Sequence, residues 1–303
     1  MSTTLDLVQT IILYLYPVIF IMGCIGNVLS FIIFRQNKFE TTIFYIYFPL
    51  LNICNTLTIP YVIIDFLDYQ FNIVVRNMSL LLCKSNLYFI YSMAPVAGYI
   101  IVIVGLDRLI TISCPNKFLF RTSKYFQYGV CFMFLVYNLA FYTPLIIFSD
   151  YESIYDNETN STIYICKQND NGLVYKMDFF NSTVVPFILM IFSTCGTLIV
   201  LFKSRKKSQK KINKKDVRFS VTAIFLDITF LVLNLPIVLY LLLSVYIEIE
   251  EKISDFLYVV TSLFYYMNFG IMFYVNFYVN NLFKTELQSF YSRARSISII
   301  GQR

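Results

Sequence analysis

Seven long apolar stretches run through this 303-residue chain, each about as long as a bilayer is thick, and they leave little sequence between them. They read as residues 7–34, 43–66, 80–112, 128–148, 180–202, 217–246 and 253–279. A helix rises ~1.5 Å per residue and needs ~20 apolar residues to cross the hydrocarbon core. In lipid every backbone N–H and C=O must be satisfied by the protein itself, which leaves helices or a closed barrel. Continuous runs of Ile, Leu, Phe and Val lack the alternation of barrel strands. The expected fold is therefore all-α: a seven-transmembrane helix bundle. A content of 58% hydrophobic and 14% charged residues agrees, since a soluble core needs far less apolar surface. The first stretch is too long for a secretory signal and lacks a basic start and a small-residue cleavage site, so it is expected to be retained. No second domain, internal repeat or low-complexity linker interrupts the pattern, and residues 1–303 are expected to form one membrane domain with a tail at 280–303.

Charge orients the bundle. Nineteen of the 24 basic residues fall on one face: Arg35 and Lys38, the region from Arg108 to Lys124, the run from Lys203 to Arg218, and the tail. By the positive-inside rule this face is cytoplasmic and the N-terminus is outside. The opposite face carries five basic residues against thirteen acidic ones. Two further signals point the same way. Of seven cysteines, only Cys83 and Cys166 lie on the acidic face, where disulfides persist. The sequons at Asn77, Asn157 and Asn160 lie there too. Of these, Asn157 and Asn160 stand well clear of the membrane, whereas Asn77 is close to it. A fourth sequon, at Asn181, falls where the fifth span enters the bilayer and is discounted.

Polar residues within spans are costly, so their positions carry information. Leu106-Asp107-Arg108-Leu109 sits at the basic end of the third span, twenty-five residues from Cys83, or ~37 Å of helix. With Gly26-Asn27 in the first span, a Cys after the fourth to match Cys83, and Asp107-Arg108 followed by Cys114-Pro115, the chain resembles the rhodopsin-like family of G-protein-coupled receptors over nearly its whole length. Pro186 in span five, and Phe230 with Pro236 in span six, match that family's helix-bending positions. The end of span seven, Asn268 to Asn276 and then Phe283-Lys284, is similar to the divergent peptide-receptor and nematode chemoreceptor branches. The resemblance implies a Cys83–Cys166 disulfide, a short amphipathic helix after span seven, and an activation switch built from Asp107, Arg108, Asn27, Asn55, Pro186, Phe230, Asn234, Pro236 and Asn276. It also implies that Asp216, twenty residues before Pro236, pairs with Arg108. The chain departs from the family at Asn55, where an Asp is expected, at Asn234, where a Trp is expected, and at Met272 to Asn276, where Asn-Pro-x-x-Tyr is expected. A neutral amide at 55 removes the charge that would hold the family's sodium ion. Asp227, midway along the cytoplasmic half of span six, must face the bundle and find a partner such as Asn27, Asn55 or Asn276, or stay protonated, since desolvation disfavours a buried carboxylate.

These readings imply a plasma-membrane receptor whose partners are an extracellular ligand, a heterotrimeric G protein and the lipid bilayer, with no cofactor, no metal and no nucleic acid. Enzyme readings find no footing: the chain has no His, no metal-ligand spacing, no phosphate-cradling Gly loop and no nucleophile constellation. The acidic rim of Asp65, Asp68, Glu248, Glu250, Glu251 and Asp255 favours a cationic ligand by steering, which suits a basic or amidated short peptide. Within the same fold the rival is a small chemosensory molecule. From another class it is a seven-helix transporter or channel, against which stand the lack of repeat symmetry and the few charges that could line a pore.

Overall fold

The computed structural model describes residues 3–40, 42–114, 123–156, 161–168, 173–206, 214–247 and 250–300. Seven helical segments are long and apolar enough to cross a membrane: Val8–Phe34, Phe44–Phe71, Leu80–Ser113, Lys124–Phe148, Lys176–Lys203, Asp216–Ser244 and Ile253–Val279, here spans one to seven. The protein is a multi-pass membrane protein. Span three is the axis: 72% of its most apolar window is buried, against 22–44% for the others. The outer helices turn Ile21, Ile25, Phe132, Phe192 and Val232 outward, as lipid-facing surfaces require.

The spans are bent where the sequence removes a backbone donor. Span two breaks between Thr58 and Tyr61, at Pro60, and span four between Phe141 and Thr143, just before Pro144. In span five a π-helical turn, Phe179–Val184, runs into Pro186. Local π adjustment is one way a membrane helix re-satisfies the carbonyls that a proline leaves unpaired. Span six continues through Pro236.

Close packing depends on missing side chains. A Cβ on Gly270 would lie 2.8 Å from Gly23 Cα, so spans one and seven approach at backbone contact there. This is the small-residue packing expected where lipid supplies no hydrophobic drive between helices. At the basic end an aromatic cluster joins five elements. Phe34 of span one meets Phe48 of span two at 4.6 Å, Phe39 of the first loop at 5.0 Å and Phe283 at 5.0 Å, while Phe44 meets Phe219 of span six at 4.9 Å.

Two elements differ from the sequence reading. The stretch after span four, which the all-α expectation leaves without strands, contains an antiparallel hairpin of β1 (Ser149–Asp156) and β2 (Ser161–Gln168), with Tyr151 opposite Cys166. Its Tyr, Ile and Thr content suits strands. The helix after span seven is also not short: it runs from Asn281 to Ile300, twenty residues. Asn280 separates it from span seven, and its Oδ1 accepts the Phe283 N–H at 3.2 Å, which caps the new helix. Phe283 and Leu287 bury against the bundle.

Candidate functional site

At the basic end of span three, Asp107 and Arg108 are 7% and 6% exposed. Neighbours on a helix do not normally face each other. Here the Arg108 side chain folds back so that Nη2 donates to Asp107 Oδ2 at 2.6 Å. Thr111 Oγ1, one turn on, donates to the Asp107 carbonyl at 2.7 Å and to Oδ2 at 3.3 Å, which fixes the carboxylate. Arg108 Nε is buried without a partner. The expected bond from Asp216 to Arg108 is not made: among the described residues Asp107 is the one carboxylate that pairs with Arg108. Asp216 sits half-buried in the first turn of the helix Lys214–Tyr246, where the helix dipole favours an acid without any cation.

Above this pair lies a seam of buried amides. Asn27 Nδ2 donates to the Phe269 carbonyl at 3.0 Å and so joins spans one and seven. Asn276 and Asn234 donate within their own helices, to Met272 at 2.8 Å and Phe230 at 2.7 Å. Asn27 Oδ1, Asn55 Nδ2 and Asn276 Oδ1 remain without partners. Pro186 and Phe230 converge on span three, where a Cβ at Gly98 would meet Phe230 Cζ at 3.3 Å and Pro186 Cβ at 4.0 Å.

Asp227 is 2% exposed and does not reach Asn27, Asn55 or Asn276. Instead Thr194 donates to its Oδ2 at 2.7 Å and Ser193 at 3.3 Å, both from span five, while Oδ1 has no partner. Gly105 of span three makes room: a Cβ there would lie 2.7 Å from Ser193 Oγ and 2.9 Å from Asp227 Oδ2. Spans three, five and six therefore meet at one carboxylate. Sequence reasoning found the acid but missed its partners, because Ser and Thr in a membrane helix usually satisfy themselves on their own backbone.

At the opposite end Cys83, in the first turns of span three, is bonded to Cys166 of β2, with Cα atoms 5.4 Å apart. Asn77 Oδ1 accepts the Cys166 N–H at 2.9 Å and the Asn77 carbonyl accepts from Tyr151 at 2.9 Å, so this sequon is committed to holding the hairpin. Asn157 and Asn160 lie outside the described residues. The acidic rim divides. Asp65 is half-buried and accepts a hydrogen bond from the Tyr266 hydroxyl of span seven, so it belongs to the interior. Asp68 is half-buried, Glu250 and Asp255 are exposed, and Glu248 and the Glu251 side chain lie outside the described residues.

A polar network near this end was not anticipated. Asn181, buried at 3%, donates through Nδ2 to Asn138 Oδ1 at 2.9 Å and to Tyr142 at 3.2 Å. Its Oδ1 accepts from Tyr99 at 2.9 Å and Tyr137 at 3.1 Å, and Tyr142 in turn donates to Asp178 at 2.7 Å. These bonds clamp spans three, four and five around the π-helical turn and leave the Asn181 amide unavailable to a glycan. The available signal was Asn138, a lone amide within an apolar span.

Seven spans around a buried axial helix, a disulfide from that helix to the hairpin at one end and a buried Arg-Asp pair at the other define a membrane receptor bundle. The profile described as "7 transmembrane receptor (rhodopsin family)" matches residues 26–271, and the chain belongs to that family. It is also similar to a curated protein, the "G-protein coupled receptor homolog Q2/3L" of Sheeppox virus (strain KS-1), with 23% identity over 208 residues. That match covers 65% of this chain and 51% of the viral protein, so the chain spans about half the length of this relative.

Proposed function

We propose that this chain is a plasma-membrane receptor that takes an extracellular ligand at its disulfide end and activates a heterotrimeric G protein at its basic end. The observation that carries the reading is the buried Arg108, folded onto Asp107 at the basic end of the most buried span of a rhodopsin-family bundle. An arginine held by its own neighbour, with Nε unused, has a second position available once the surrounding spans separate. The ligand then shifts the population between closed and open conformers by its differential affinity for the two. The buried amides that lack partners in this conformation have bonds to gain in another. The positive-inside rule supports this orientation, with Asn157 and Asn160 as extracellular glycosylation sites. The acidic residues at the disulfide end support a cationic ligand, a short basic peptide before a small chemosensory molecule.

The test is expression with a promiscuous G protein and a calcium readout, screened against basic peptides and small odorants at matched surface levels. A peptide response that Arg108→Ala abolishes while surface binding persists is the expected result. Full signalling by Arg108→Ala would overturn the reading, as would ligand-driven ion flux in cells lacking the G protein.

A further inference from the structure

Asp227 stands where two bent helices can be pinned to each other. Counting toward the basic end, it lies nine residues beyond Pro236 in span six, while Ser193 and Thr194 lie seven and eight residues beyond Pro186 in span five. A proline removes one hydrogen bond from its helix, which makes it the point where the helix bends most readily. The basic-side arm of each helix can therefore swing about its proline, and Asp227 ties one arm to the other. Thr194 Oγ1 donates to Asp227 Oδ2 at 2.7 Å and Ser193 Oγ at 3.3 Å. Gly105 of span three closes the third side. A Cβ there would meet Ser193 Oγ at 2.7 Å and Asp227 Oδ2 at 2.9 Å, so the contact has no room for one more methyl group. Gly105 is three residues from Arg108, ~4.5 Å along the axis, which puts this contact within one helical turn of the Asp107-Arg108 pair.

Asp216, the acid expected to restrain span six through Arg108, does not pair with it. The tie at Asp227 is left to do so. At ~1.5 Å of rise per residue, a swing of ~10° about Pro236 moves a point nine residues away by roughly 2 Å. Hydrogen bonds of 2.7 and 3.3 Å do not survive that displacement, so span six cannot open at the basic end without breaking them. Asp227 Oδ1 is buried without a partner, so one oxygen alone carries the tie and the other is an acceptor to offer once span six turns. We propose that Asp227, clasped by Ser193 and Thr194, is the positioning residue that holds span six closed over Arg108, and that release of this clasp frees the arginine. The assignment rests on the receptor reading above, which supplies the activity to be measured.

The test measures basal second-messenger signalling per receptor at the cell surface, in cells that supply a promiscuous G protein. Asp227→Val removes the acceptor and should raise basal signalling roughly tenfold, since the lost bonds are charge-assisted. Gly105→Ala drives a methyl group between the same atoms and should act in the same direction. Asp227→Asn is the conservative rescue: it keeps an acceptor for Thr194 and should return signalling most of the way to the resting level. Thr229→Val, on span six with its hydroxyl on the Phe225 carbonyl of the same helix, should change nothing. Ser193→Ala with Thr194→Val removes the donors instead and decides the matter if Asp227→Val fails to fold. A second arm needs no G protein. Spin labels at Tyr125→Cys of span four and Arg218→Cys of span six, in a chain whose free cysteines are replaced, report their separation by double electron–electron resonance in detergent. Arg218 is twice as far from Pro236 as Asp227 is, so the separation should lengthen by roughly 5 Å in Asp227→Val and stay near its original value in Asp227→Asn. A longer separation with no signalling from any variant would support the clasp and remove the receptor reading. Unchanged separation and unchanged basal signalling in Asp227→Val and in the Ser193-Thr194 pair would overturn the clasp, and so would an Asp227→Asn as active as Asp227→Val.

Discussion

Gly270→Ala should loosen the seam between spans one and seven. The added Cβ would lie 2.8 Å from Gly23 Cα and 3.3 Å from Gly23 N. The obstacle is backbone, so no rotamer change can relieve it. Carbon atoms pack comfortably at ~3.5–4.0 Å, so the helices must move apart by roughly 1 Å. The Asn27 Nδ2 bond to the Phe269 carbonyl, now 3.0 Å and one residue from the contact, would stretch beyond hydrogen-bonding range. Overpacking costs about 1–3 kcal/mol and the lost bond about 0.5–1.5 kcal/mol, while the better helix propensity of Ala returns about 1 kcal/mol. The net expectation is a loss of about 0.5–3.5 kcal/mol. Two other glycines serve as internal controls. A Cβ on Gly129 would meet nothing within 4 Å, so Gly129→Ala should be neutral or slightly stabilising. Gly23→Ala meets the end of the Ile59 side chain at 2.8 Å, which can turn aside, so its loss should be intermediate. Thermal unfolding of the purified variants in one detergent, with surface expression in parallel, ranks the three. Gly270→Ala melting at or above Gly129→Ala would refute the backbone-contact argument.

Asp107→Asn should raise basal signalling severalfold while Asp216→Asn leaves it unchanged, because Arg108 pairs with the first and not the second; a basal second-messenger assay at matched surface expression decides, and the reverse order would restore Asp216 as the lock. Asp227→Asn keeps an acceptor for Thr194 and should be tolerated, whereas Asp227→Ala strands the Thr194 hydroxyl at a cost of about 1–3 kcal/mol, visible as a lower melting temperature. Ser193 is less exposed to that loss, since it also donates to the Met190 carbonyl. Cys166→Ala should cost about 2–5 kcal/mol and expose the hairpin to protease, with reduced surface delivery. Intact delivery and an uncleaved hairpin would show that the Asn77 and Tyr151 bonds suffice without the disulfide.

The spans were legible in the sequence because lipid makes secondary structure a local matter: each segment must satisfy its own backbone, so length and hydropathy are enough to find it. The Cys83–Cys166 bond was legible for a similar reason, since topology left two cysteines on one face. The Asp107-Arg108 element could be located by its register against Cys83 in span three, and Pro186 and Phe230 by the resemblance to the family's helix-bending positions. Which side chains meet was another matter. Nothing in the string of residues says that Asp227 turns to Ser193 and Thr194 and not to the amides, that Asp65 faces Tyr266 and not the rim, or that Arg108 ignores Asp216. Those pairings depend on the rotation and depth of each helix. These are set by close contacts between spans, Gly23 on Gly270 and Gly105 on Ser193 among them, where a single methyl group would shift the register of the partners above and below. Helix position is local in lipid, but helix rotation is collective, and the chemistry of the bundle follows the rotation.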